Sequence, residues 1–400
     1  MSGPGERINT PISTAELERR WAAVRTAMEE QGIDVLLMQS NNDFMGGYVK
    51  WFTDVPATNG YPVTVAFPRD EGMIAVTQGP VGGDRKLKGD EDPLRRGVTR
   101  HLTTPAFDTA HYTGTYQAEL IDKALQGYTT ATVGLVGTAH LSYALVEHLK
   151  KGRFSNAKFI EASELVDRIK VIKSDEELAL IRRTAAMQDE CMKAAFAAIK
   201  PGMRDLEVAA VAEQVGHGFG SEQGLFLAQS GPLGSAPAII NRHSQNRVIR
   251  EGDQFQLLVE SSGPGGFYTE LGRTCVLGKA SQEMKDEFAF VLEARKFTLA
   301  RLQPGASCRD IWESYNSFMR DHGRPEEKRL YCHGQGYDMV ERPLVRFDEP
   351  MPIADRMNIV VHPTYATERT FSWVCDNYII GADGPGERIH KFPEEIVELG

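Results

Sequence analysis

The segment "LARLQPGASCRDIWES" (residues 299–314) repeats, in outline, the earlier "AAIKPGMRDLEVAA" (residues 197–210). Each places a helix-forming run before Pro-Gly, then an Asp, then a second helix-forming run, and each is followed by a stretch rich in glycine and strand formers. Proline cannot continue the first helix, and glycine takes the positive φ that turns the chain. Two such halves predict a duplicated α+β domain with a pseudo-twofold cleft between them.

Upstream, "DRIKVIKSDEELALIRRTAAMQDECMKAAFAAI" (residues 167–199) opens the long helical region of this domain, with Ser174 and Glu177 in the spacing of a capping box. Before residue 160 the pattern is different. A helix over 13–32 with a Ser N-cap signal leads into the apolar run "DVLLM". Strands at "PVTVAF" and "GMIAVT", a helix at "YQAELIDKALQG", a strand at "ATVGLVG" and a helix at "LSYALVEHLKKG" follow. This alternation predicts an α/β domain over residues 1–160, followed by the duplicated domain over 161–400.

Within the second domain, "GGFYTELGRT" (residues 265–274) sets Glu270 inside a segment that otherwise reads as strand. A buried carboxylate without a partner is costly, so Glu270 requires a role. A pairing with Arg273 is the structural option; a place in the cleft is the functional one.

Composition narrows that role. A net charge of −10 and a pI near 5.6 lack the basic footprint that nucleic acid or an anionic membrane needs. Neutral or cationic small molecules fit better. No uncharged run approaches membrane-spanning length, and "MSGPGERINTPIST" holds no apolar leader core, so a cytoplasmic location is expected. Five cysteines, widely spaced and without a CxxC pair, suggest neither a disulfide framework nor a zinc knuckle. The glycine-rich "GHGFGSEQG" has neither the Lys-Ser/Thr nor the preceding strand of a phosphate loop.

The order "IKSDEELALIRR", "KPG", "NRVIREGDQF", "GGFYTELGRT", "QPGASCRDI", "HGQGYDMVERP" and "DGPGERI" resembles the creatinase/aminopeptidase P/methionine aminopeptidase family, M24, over roughly residues 15 to 390. The resemblance implies a creatinase-like α/β domain followed by a pita-bread domain. It also implies a dinuclear metal centre of two Asp, one His and two Glu in the peptidase members. Here Glu260 and Glu270 stand nearest the two Asp positions, and His333 matches the His. His362 in "VVHPTY" and Cys375 in "WVCDNY" replace the two Glu, and Val340 replaces a second cleft histidine.

Those replacements direct the main expectation toward the metal-free, creatinase-like branch: a metal-independent hydrolase of a C–N bond in a small cationic or zwitterionic compound, with no cofactor. His243, close to the position of creatinase's catalytic histidine, Glu260, Glu270, His333 and His362 form the expected catalytic set. Histidine exchanges protons near neutrality, and desolvated glutamates fix cations, orient water or attack as nucleophiles. Trp51, Phe52, Tyr268, Arg273, Glu341, Trp373 and Cys375 complete it as substrate-binding residues. The resemblance further implies a homodimer in which Tyr48, Trp51 and Phe52 of "YVKWFTDV" reach the neighbouring cleft.

Bland readings stand beside these. Glu260 can sit in a hairpin loop, His243 in solvent, His333 in a purely structural place before Gly-Gln-Gly, His362 in the core, Trp51 and Phe52 in a core cluster, and Cys375 as a packed thiol. Two other functions stay open. One is a metal-dependent M24 enzyme, either an Xaa-Pro peptidase or a dimethylsulfoniopropionate-type lyase, with Zn²⁺ or Fe²⁺ at Glu260, Glu270, His333 and His362. The other is a non-catalytic pita-bread binding protein, against which the chain shows no basic ribosome-facing run and no acidic tail.

Overall fold

The computed structural model describes residues 8–45, 47–89 and 92–400. Residues 1–7, part of the stretch read for a leader, lie outside the described residues. Two units are distinguished, Met1–Lys170 and Val171–Gly400. No described helix is long and apolar enough to cross a membrane.

In the first unit the chain runs α1 (Thr14–Gln31), β1 (Val35–Ser40), α2 (Gly47–Thr53), β2 (Val63–Pro68), β3 (Met73–Gln78), β4 (Gly83–Gly89), β5 (Val98–Thr104), α3 (Tyr116–Ala124), β6 (Thr132–Val136), α4 (Tyr143–Lys151), β7 (Lys158–Glu161) and α5 (Ser163–Lys170). Ser13 caps α1 by accepting the Glu16 N–H, and Gly32 ends it with φ 64°, so local chemistry sets both ends. The strands form one mixed sheet in the order β4-β5-β3-β2-β1-β6-β7. Val35, Leu37, Ile74, Val76, Leu102 and Leu135 of the sheet pack against Ile121 of α3 and Leu145 of α4 in one buried cluster.

Trp51 and Phe52 are buried within this unit. Arg20 lies over the Trp51 ring and Phe52 meets Phe67 edge-on at 5.0 Å. Tyr48 donates to Asp167 Oδ1 at 2.7 Å. A seven-residue helix too short to hold itself in water is anchored by these contacts, which engage the side chains expected to reach a partner's cleft.

His101 on β5 is also buried. Its Nε2 lies 2.9 Å from Thr77 Oγ1, its Nδ1 has no partner, and burial, reinforced by the Arg95 and Arg85 charges, lowers its pKa to about 4. The folded pKa is below the unfolded value of about 6.5, so the stabilisation is whole above that pH and is lost as pH falls toward 4. Urea titrations of the full chain at pH 7 and pH 5 are expected to show roughly 1–2 kcal/mol lost to this residue. His101→Gln should flatten that slope; an unchanged slope would remove His101 as its source.

The second unit shows the duplication. Its first half is α6 (Asp175–Ala198), α7 (Asp205–Gly218), β8 (Gly224–Pro232), β9 (Asp253–Ser262) and β10 (Tyr268–Leu277). The second half is α8 (Gln282–Leu299), α9 (Cys308–Asp321), β11 (Cys332–Gly334), β12 (Glu341–Leu344), β13 (Asn358–Val361), β14 (Thr364–Ala366), β15 (Phe371–Trp373), β16 (Asp376–Gly381), β17 (Gly384–Arg388) and β18 (Val397–Leu399). The Ser174–Glu177 capping box at the start of α6 is formed in both directions. Helices α6 and α7 pack on the sheet β18-β10-β9-β8, and α8 and α9 on the sheet β12-β11-β13-β16-β17.

The halves are joined by an antiparallel bridge between Gly272 and Cys375, with Gly272 N–H donating to Cys375 O at 3.1 Å. A Cβ at Gly272 would stand 2.2 Å from the Trp373 ring. Only glycine lets the two sheets close here.

Candidate active site

The site lies along that junction. Glu260 on β9 and Glu270 on β10 are register partners across the antiparallel ladder, so both side chains leave the same face. Both are buried. Burial raises the proton affinity of each carboxyl, and for Glu260 the neighbouring Glu270 charge adds to it. The sheet hairpin makes this pair; the ten-residue separation across "SSGPGG" places one glutamate opposite the other.

From the second sheet, β11 supplies His333 and the residue after β13 supplies His362. His333 Nε2 is 3.8 Å from Glu270 Oε2, and the two imidazole rings stand 5.3 Å apart at 72°. His333 Nδ1 lies 2.9 Å from the Gly334 carbonyl, which can only accept, so Nδ1 carries the proton and Nε2 keeps its lone pair. His362 Nε2 is buried with no hydrogen-bond partner. Burial lowers the pKa of His333 to about 4, and burial followed by the His333 and Arg329 charges lowers that of His362 well below its ordinary value. Neutral imidazole is the form that ligates a metal.

One donor atom from each of Glu270, His333 and His362 lies within 4.8 Å of the others. A free imidazole lone pair, an orphaned buried imidazole nitrogen and a carboxylate oxygen fit one divalent ion. The set of two nitrogens and one oxygen suits Zn²⁺ or Fe²⁺. Glu260 stands beside this group, opposite Glu270.

Behind the pair lies a chain of amides absent from the sequence expectation. Gln335 Nε2 lies 3.3 Å from Glu260 Oε1, 3.4 Å from Glu270 Oε2 and 2.9 Å from Met339 O. Asn377 Nδ2 donates to Gln335 Oε1 at 2.8 Å and to Asn358 Oδ1 at 3.1 Å. The signal was available: polar residues recur in otherwise apolar strands at "HGQG", "MNIVV" and "CDNYII".

The remaining expected residues are placed as follows. His243 is exposed on the 3-10 turn Arg242–Ser244 and is not part of the group. Arg273 is fully buried and bonds Asp376 at 2.8 Å and the Gly272 and Cys375 carbonyls, rather than Glu270. Glu341 pairs with Lys173 at 2.5 Å in a buried contact. Tyr268 is buried and its N–H donates to Gly336 O at 2.7 Å. Trp373 donates its indole N–H to Gln256 Oε1 at 2.6 Å. The Cys375 thiol is buried, which raises its pKa, and lies 3.5 Å from the Glu270 carbonyl.

A cavity of about 430 Å³ is lined by Ile239, Glu327, Arg329, Thr364, Tyr365 and Phe371 among others, none of them a member of the three-residue group. Thr364 lies two residues beyond His362, and the Arg329 charge acts on both Glu270 and His362. Ile239 and Phe371 pack against the buried cluster of Leu258, Val360, Trp373 and Cys375.

Residues 179–389 match the model of metallopeptidase family M24, and residues 20–172 that of the creatinase/prolidase N-terminal domain. The chain belongs to metallopeptidase family M24. Its two units are the creatinase-type N-terminal domain and the pita-bread domain of this family. An Xaa-Pro dipeptidase of Pyrococcus furiosus is 25% identical over 275 residues, 67% of this chain and 76% of the relative. An uncharacterised hydrolase/peptidase of Sinorhizobium fredii is 28% identical over 79% of each chain. Among solved structures, the prolidase of Pyrococcus horikoshii (TM-score 0.75, 18% identity) covers 95% of this M24 chain and 100% of its own. The X-Pro aminopeptidase of Thermotoga maritima (TM-score 0.77, 17% identity) covers 95% and 99%.

Two expectations are corrected by these findings. A metal-independent, creatinase-like hydrolase is not what the relatives describe, since two of them are named Xaa-Pro dipeptidases and the chain matches a metallopeptidase family. The expected absence of a cofactor falls with it. Histidine in place of glutamate at 362 changes the donor atom and keeps a donor, and the fold brings that donor to Glu270 and His333.

Proposed function

We propose that this M24 chain is a metal-dependent hydrolase of small peptide-like amides of the Xaa-Pro type. The observation that carries the reading is the convergence of Glu270, His333 and His362, with two imidazole nitrogens free to ligate. The dipeptidase activity named for relatives at about a quarter identity supports the substrate class. A bound divalent ion supplies Lewis-acid polarisation of the scissile carbonyl.

The chain's own residues supply the rest. Glu260, outside the three-residue group and raised in pKa by burial and by Glu270, takes a proton from the attacking water and returns it to the leaving nitrogen. The apolar wall of Ile239, Tyr365 and Phe371 receives the substrate's side chain or ring, and Arg329 at the cavity holds its anionic end. A volume of about 430 Å³ suits a ligand of dipeptide size.

Protein reconstituted with Zn²⁺ or Fe²⁺ and assayed against a panel of Xaa-Pro dipeptides, longer Xaa-Pro peptides and non-proline dipeptides tests the reading. Hydrolysis concentrated in the Xaa-Pro dipeptides is expected. Inactivity toward every small amide in the metal-loaded state would reject it.

A further inference from the structure

We infer that the centre takes a single metal ion, because the carboxamide of Gln335 fills, by hydrogen bonding, the place between Glu260 and Glu270 that a second cation would need. This rests on the metal-dependent reading above.

The direction of the amide chain is set by backbone groups, whose polarity cannot change. Asn358 Nδ2 faces two carbonyls, Gln335 O at 3.1 Å and Tyr268 O at 3.4 Å, so its oxygen is the end turned to Asn377. Asn377 Oδ1 accepts the Glu270 N–H at 2.8 Å, so its NH₂ is the end turned to Gln335 Oε1, at 2.8 Å. Gln335 therefore presents its own NH₂ away from Asn377. One hydrogen goes to Met339 O at 2.9 Å, and the other points between Glu260 Oε1 and Glu270 Oε2 at 3.3 and 3.4 Å. Flipping any one of the three would set a buried donor against a donor or an acceptor against an acceptor.

An N–H in that position satisfies lone pairs of both carboxyls, as a cation would, and has no lone pair to offer an ion. Asn377 is committed in the same sense, its NH₂ facing the site. The Cys375 thiol, where another oxygen ligand could stand, is turned to the Glu270 carbonyl. Among the described residues the one group of three ligating side chains is Glu270, His333 and His362. An ion beside Glu260 would find Glu260 and a shared Glu270 oxygen, and two carboxylates alone do not make a closed site for a transition metal.

Metal-free full-length protein titrated with Co²⁺, followed by calorimetry and by the visible absorption of the bound ion, decides the matter. A plateau at one equivalent is expected, with His362→Ala weakening that binding at least about 100-fold. Wild-type stoichiometry needs no variant to fold, and circular dichroism checks the His362→Ala protein. Two equivalents of bound Co²⁺ would overturn the single-ion inference and leave the metal-dependent hydrolase standing. No binding, with hydrolysis unaffected by metal, would overturn that reading itself. Unchanged affinity in a folded His362→Ala protein would overturn the assignment of the ligands.

Discussion

Stripping divalent metal with a chelator is expected to lower hydrolysis by about 10³-fold or more, with activity returning on addition of Zn²⁺ or Fe²⁺. A Lewis acid at the reacting carbonyl supplies several kcal/mol of transition-state stabilisation, and about 1.4 kcal/mol corresponds to each factor of ten in rate. With the ion gone, the carbonyl would face two neutral imidazoles and a carboxyl whose pKa is already raised by burial. None of these stabilises a developing oxyanion as a divalent cation does. Assays before and after dialysis, with circular dichroism to confirm that the fold persists, make the measurement. Retained turnover in protein shown by elemental analysis to be metal-free would refute it.

The second large effect concerns stability. Asp376 is fully buried and receives Arg273 at 2.8 Å and Arg295 at 2.6 Å, with Arg388 and His390 close by. Burial alone would raise its pKa, but the Arg273 and Arg295 charges outweigh it and hold the carboxyl below its ordinary range. Replacing Asp376 by Ala leaves the buried Arg273 without its counter-charge and Arg295 with Glu394 alone, a change expected to cost about 3–5 kcal/mol. Urea or thermal unfolding of Asp376→Ala against the wild type measures this. A loss under about 1 kcal/mol would show that water or Glu394 replaces the carboxylate. Asp376 separates Cys375 and Asn377, which belong to the site, so the ion cluster also holds the site's strand in register.

Local features were legible. The Ser13 cap, the Ser174–Glu177 box and the Pro-Gly turns each depend on residues within a few positions of one another, and each forms as expected. The duplication was legible for the same reason: helix–turn–helix followed by strand is a pattern of local preferences repeated twice. The hairpin carrying Glu260 and Glu270 was legible, but Glu260 stood open between strand and loop, and it is the ladder that sets it opposite Glu270.

Other features depend on contacts between segments far apart in sequence. Trp51 and Phe52 stood open between a reach to a partner's cleft and a core cluster because nothing in their helix shows Arg20 and Phe67 arriving from other elements. Arg273 is three residues from Glu270, yet alternation along a strand sends the two side chains to opposite faces, and Arg273 finds its partner 103 positions away in Asp376.

The sequence by itself determined the two-domain plan, the capped helices and the duplicated halves, because each follows from short-range backbone chemistry. Only the tertiary structure decided that His333, His362 and Glu270 share one centre and that Gln335, Asn377 and Asn358 form a directed chain behind it. Those side chains come from β10, β11, β13, β16 and the residues that directly follow β11 and β13, and the register of one sheet against another is set by packing and by the close Gly272–Cys375 junction. Residue type announces what a side chain can donate; only the assembled sheets determine which donor atoms meet.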